Sequence, residues 1–148
     1  MASMTNGFET ALATLLFNNT AITNIGDASG LVATSTAGST QLALSTSALT
    51  DADTLLTATE VAYTGYARPT QARSGAGWTV SGDTVSNAAL IVFGEMTAGG
   101  PDTVVHLGLG FIATGDVLRL HQDLTADLVI NNGVNPQFAI GALDWVFA

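Results

Sequence analysis

The 148-residue chain has no cysteine and no lysine. The first absence excludes a disulfide scaffold and every thiolate metal site, and leaves the redox compartment open. The second leaves Arg68, Arg73 and Arg119 as the whole basic complement against 12 acidic residues, a net charge of −9. Such a chain is repelled by phosphate backbones and by anionic lipid, so neither nucleic acid nor a membrane is an expected partner. Charged residues of both signs make up only 10% of the chain, against about 25% in an ordinary soluble protein. Thr, Ser, Asn, Gln and Gly must carry most of the polar surface. A surface so poor in charge suits burial against other subunits, and the expectation is a homo-oligomer or a larger assembly. No run approaches the roughly 20 continuous apolar residues of a membrane helix. The first basic residue is Arg68, so a positively charged signal region is lacking and Sec-type export is not expected.

Apolar residues, by contrast, make up 47% of the chain, enough for one core, and residues 1–148 are expected to form a single β-rich domain. Near the start, Asn6 is placed to cap a helix, with Glu9 three positions on as in a capping box. Phe8, Leu12, Leu15 and Leu16 then recur at helical spacing, and Asn18-Asn19 end the pattern, which predicts a helix over 6–17. Its apolar face either packs on the sheet or docks into a neighbouring subunit. Residues 20–40 follow without a sustained period, broken at Gly26-Asp27, Gly30 and Gly38, with a short strand expected at Leu31-Val32. Long irregular connections of this kind often touch a partner. The candidate assembly residues are therefore Phe8, Leu12, Leu15, Leu16, Leu31 and Val32.

The rest reads as short strands. Leu42 and Leu44 alternate within 41–45, while Leu49, Leu55 and Leu56 pack locally in the loop after it. Residues 60–71 suggest a strand interrupted at Gly65 and confined to an edge by Pro69. Ser81-Gly82-Asp83 turns a hairpin between Trp78–Val80 and Thr84–Ser86. The continuous apolar run 88–93 suits a strand buried on both faces. The clearest alternation is in 104–111, where Val105, Leu107, Leu109 and Phe111 form a core face opposite Val104, His106, Gly108 and Gly110. Ala113-Thr114-Gly115-Asp116 supplies a turn, and the chain returns through Leu118 and Leu120 to Asp123. A further strand spans 124–130, Asn131-Asn132-Gly133 turns, and two short strands follow in 137–140 and 143–147. One helix and eight to ten short strands predict a mainly β fold, a β-sandwich or jelly-roll-like barrel.

Chemistry is sparse. His106 and His121 are the only histidines, and a hairpin brings them near each other, but a third ligand from Asp123 or Glu60 has no supporting spacing. Asp51-Ala52-Asp53 lacks the twelve-residue calcium loop with its closing Glu. Gly75-Ala76-Gly77 and Gly108-Leu109-Gly110 open no helix after a strand, and there is no Gly-x-Ser-x-Gly elbow. Trp78, Tyr63, Tyr66 and Trp145 either line a sugar-binding surface or fill the core, and aromatics at strand positions favour the core. No catalytic residue, metal or cofactor is expected, and the chain does not read as an enzyme.

The order of segments resembles small bacteriophage virion proteins, labelled tail-fibre-like or capsid decoration (cement) proteins. The matching pieces are FETALATLLFNNTA (Phe8 to Ala21), QLALST (Gln41 to Thr46), TEVAYTGYAR (Thr59 to Arg68), VSNAALIVF (Val85 to Phe93), TVVHLGLGFIATGDVLRLHQDL (Thr103 to Leu124) and INNGVNPQFAIGAL (Ile130 to Leu143). Most telling are the Gly-Tyr-Ala-Arg step and the Val-x-His-Leu-Gly strand. The stretch between helix and QLALST is longer and richer in Ser, Thr and Gly than the usual pattern. The resemblance implies a structural virion protein without catalytic residues. Its leading form is a decoration protein on the outer capsid surface that clamps the major capsid protein by non-covalent contacts, with a trimer favoured. The alternative is a tail or tail-fibre component contacting the host surface.

Overall fold

The computed structural model describes residues 4–23, 25, 30–54, 58–111 and 118–147, the side chains of 118 and 119 excepted. One helix, α1 (Asn6–Asn18), precedes nine strands among these residues: β1 (Ser39–Ser45), β2 (Thr70–Ala72), β3 (Trp78–Ser81), β4 (Thr84–Asn87), β5 (Ile91–Val92), β6 (Asp102–Phe111), β7 (Leu118–Ile130), β8 (Gln137–Phe138) and β9 (Asp144–Val146). The fold is mainly β with one short N-terminal helix, as the sequence pattern implies. The strands form sheets ordered β2-β1-β6-β7, β3-β4-β9 and β5-β8. By its contacts the chain divides into two compact units, one from Met1–Ser39, Gln71–Ile91 and Phe138–Ala148, the other from Thr40–Thr70 and Val92–Gln137.

In the first unit, α1 lies against β3 and β4. Its N-cap is Thr5, not Asn6. Thr5 has extended backbone (φ −85°, ψ 148°), and its carbonyl accepts the N–H groups of Phe8 and Glu9 at 2.8 and 3.0 Å, while its hydroxyl makes no cap bond. The residue three beyond Thr5 is Phe8, so no capping box forms. Asn19 closes the helix in the left-handed region (φ 53°), its N–H bonding to Thr14 O, a conformation a short polar side chain tolerates. The buried stripe is Glu9, Ala13 and Phe17, one position round the helix from the predicted Phe8–Leu12–Leu16 stripe. Phe17 anchors the observed face: its ring meets Trp78 edge-on at 5.0 Å and Phe147 at 6.1 Å, while Leu12, Leu15 and Leu16 stay half-buried.

The hairpin β3–β4 pairs Ser81 with Thr84. That leaves Gly82-Asp83 as a two-residue turn, with Gly82 at φ +65° as such turns require. β4 then pairs with β9, Val85 opposite Trp145. Asn87, fully buried, ties the C-terminal segment in: its Nδ2 donates to Ala89 O and Ala139 O (both 2.8 Å), and its Oδ1 accepts Leu143 N–H at 3.0 Å. A buried amide with three partners costs nothing in unmet hydrogen bonds. Of the strand expected at Leu31-Val32, only a bridge exists, Ile22 and Leu31 exchanging backbone bonds of 2.9 and 2.8 Å.

The second unit is built on β1-β6-β7. β1 pairs antiparallel with β6, Leu42 opposite Leu109 and Leu44 opposite Leu107, all four buried. The alternation predicted for β6 is only half the result. Val104, His106, Gly108 and Gly110 are buried along with Leu107 and Leu109, whereas Val105 and Phe111 are half-buried. The glycine-lined face is therefore covered as well. Residues 60–69 form no strand, only single bridges from Glu60 to Ser45 and Thr64 to Ala98. Gly65 (φ +103°) turns the chain, and Tyr66 N–H reaches back to Tyr63 O. A Cβ on Gly65 would lie 2.1 Å from Glu95 O, so glycine permits a close backbone approach there. The run 88–93 is also corrected: Ile91 and Phe93 are buried but Leu90 and Val92 exposed, a one-sided strand. The expected turn 113–116, Gly26-Asp27 and the packing of Leu55 and Leu56 lie outside the described residues.

Candidate functional site

The hairpin β6–β7 places His106 opposite Asp123 and His121 opposite Gly108. Residues opposite each other on antiparallel strands share a face, so all four line one side of the ladder. His106 Nε2 is 2.6 Å from Asp123 Oδ1, His121 Nε2 is 3.3 Å from Asp51 Oδ1, and the two rings stand 6.3 Å apart. The histidines do meet, as the sequence suggests, but each takes its own carboxylate. His106 Nδ1 is buried without a partner. Among the described residues no group of three or more His, Asp or Glu side chains is arranged to hold a metal ion. Glu60, weighed as a third ligand, is engaged elsewhere.

That engagement is what sequence reasoning missed. The Glu60 carboxylate accepts from Tyr66 Oη–H at 2.8 Å, from Arg68 Nε–H at 3.0 Å, and from Arg68 Nη2. Tyr66 Oη in turn accepts Leu44 N–H at 3.1 Å. The Gly-Tyr-Ala-Arg step is thus a clamp: Gly65 turns, Tyr66 and Arg68 close on Glu60, and the phenol fastens β1. Burial pushes the Tyr66 phenol well above its usual range, with the Glu60 charge adding to it and the Leu44 N–H and Arg68 opposing. The phenol stays protonated and donates. The ring stacks on Phe93 at 6.2 Å and meets Tyr63 edge-on at 5.4 Å, while Tyr63 Oη–H donates to Gly94 O at 2.8 Å. The signal in the sequence was a Glu and an Arg eight residues apart around a Tyr, which no spacing rule isolates.

Arg73 does similar work in the first unit. Its Nε donates to Leu16 O at 2.6 Å, Nη2 to Leu15 O at 2.9 Å and Nη1 to Ala37 O at 2.9 Å. α1 has no basic residue in its last turn, and this distant guanidinium supplies the positive charge and donors that the helix C-terminus calls for. Two of the three arginines are thereby held within the fold.

The aromatic surface weighed for sugar binding does not exist as a surface. Trp78, Tyr63 and Trp145 are buried and Tyr66 is half-buried. The assembly candidates fall on the opposite side of the balance. Phe8 is 37% exposed, Leu31 41% and Val32 68%, and Leu12, Leu15 and Leu16 are half-buried. None of the six belongs to the fully buried core.

The family model described as Podophage GP4 fiber I protein gp80 matches residues 3–146. No curated protein matches the chain.

Proposed function

The chain belongs to the family described as Podophage GP4 fiber I protein gp80, a family of phage structural proteins, and on that footing we propose that it works as a fibre subunit of the virion. The observation that carries this reading is a family match spanning nearly the whole chain, with the polar clusters spent on holding the fold. The mechanism is adhesion between subunits. Phe8, Leu12, Leu15 and Leu16 on α1, with Leu31 and Val32, form the attachment surface in this proposal, supported by the exposure of Phe8, Leu31 and Val32, the partial exposure of the three leucines and the scarcity of charge in the chain. Copies of the chain associate, as a trimer, and the assembly contacts the host surface by means other than the buried aromatics.

The charge-poor, acidic surface favours a second reading, a decoration protein on the outer capsid surface bound to the major capsid protein, where −9 charges stay away from packaged DNA. Gold-labelled antibody on intact particles separates the two. The fibre reading predicts label at the tail region; label spread over the head overturns it in favour of decoration, and unlabelled particles overturn both.

A further inference from the structure

We infer that the outer edge of β7 is a docking edge for an extended, basic strand of another virion protein. β7 ends the order β2-β1-β6-β7 and runs for 13 residues. It pairs with β6 alone, and among the described residues no backbone bond is made on its other side. A long edge with free N–H and C=O groups is a template for an added strand unless something blunts it. No proline lies in β7.

The register shows where the edge is presented. Between the pairs Val104–Leu128 and His106–Asp123, β6 advances two residues and β7 five. Three surplus residues must leave the ladder, and Thr125, Ala126 and Asp127 are exposed, followed by Val129 at 51%. Such a bulge bends the strand and interrupts the edge, so the regular edge open to an added strand is 120–123 on one side of it and 128–130 on the other. The exposed charges along this stretch are acidic. Asp123 has its side chain 80% exposed beyond His106, Asp127 follows, and Asp51 reaches in beside His121.

Charge then chooses the occupant. The chain has three basic residues in all; Arg68 and Arg73 are bound within the fold, and Arg119 stands at the far end of β7, four residues before Asp123. A second copy offers this edge little that is positive and brings nine net negative charges with it. An extended segment with Lys or Arg at alternate positions gains both the backbone ladder and facing charge. The inference rests on the chain being a virion protein, and it names the chemistry of one partner.

The test uses intact phage carrying a photo-crosslinking side chain at Val129 or, as a control, at the exposed Ile140, which belongs to neither proposed surface. Crosslinks from Val129 into a Lys/Arg-containing extended segment of a different virion protein are the expected result. Crosslinks from Val129 only to copies of this chain, or none while the protein is present in the particle, overturn the inference. Absence of the protein from purified particles instead overturns the virion reading on which it rests. Alongside, D127K reverses charge at an exposed position outside the ladder, and should lower the copies retained per particle about tenfold with an unchanged melting temperature; unchanged retention contradicts the inference.

Discussion

At the residue scale, the clamp of Tyr66, Glu60 and Arg68 makes the sharpest claims. Tyr63 and Tyr66 are the only tyrosines, and burial raises both phenols above their ordinary value, for Tyr63 with a lesser contribution from Asp102. A raised pKa means that the folded state holds the proton more tightly than the unfolded chain. The stabilisation is complete below the unfolded phenol value of about 10 and is lost as pH climbs above it. Ultraviolet titration should therefore show the Tyr66 phenol still protonated in the native protein near pH 10, with Tyr63 ionising above its ordinary value and the Tyr66 phenolate appearing together with unfolding at higher pH. Ordinary titration of both groups near pH 10 with the fold intact would contradict the clamp. Y66F leaves Leu44 N–H without its acceptor and Glu60 short of one donor, and should cost about 1–3 kcal/mol in urea unfolding. It should also flatten the alkaline limb of the stability curve.

At the scale of elements, α1 divides its residues between two tasks. F17A opens a cavity against Trp78 and Phe147 and should destabilise by about 3–5 kcal/mol, measured as a fall in the denaturation midpoint. F8S, on the exposed side, should change stability by less than about 1 kcal/mol while weakening attachment to particles. Removing residues 1–20 confounds the two, since it takes away Phe17 and the carbonyls that Arg73 caps. R73A should fray the helix C-terminus and cost about 1–3 kcal/mol, visible as lost amide protection at residues 14–18 before global unfolding.

These elements also mark how far the sequence could be read. The mainly β class, the N-terminal helix and the hairpin at Gly82-Asp83 were legible because periodicity and turn chemistry are local. The face that α1 buries was not, since Phe17 finds Trp78 and Phe147 from distant parts of the chain. Of the candidate site, the approach of His106 to His121 followed from hairpin geometry. The Glu60–Tyr66–Arg68 clamp and the Arg73 cap did not, because charged side chains choose partners across loops whose path no pattern reveals.

At the scale of the whole molecule, charge separates self-association from docking on a basic partner. Copies carrying −9 each repel, and salt screens that repulsion within about 10 Å at 0.1 M. Self-association should therefore strengthen with added salt by light scattering, with trimers as the expected species and a monomer at all salt concentrations as the contrary result. Attachment through the β7 edge should weaken over the same range, read as protein released from washed particles. The most direct measurement of the central claim, that the chain is a fibre subunit, is an electron cryo-microscopy map of the intact particle. Density fitting these two units within a tail-associated fibre is the expected result. Density for the same fold on the outer capsid lattice, with none in the fibres, would contradict it.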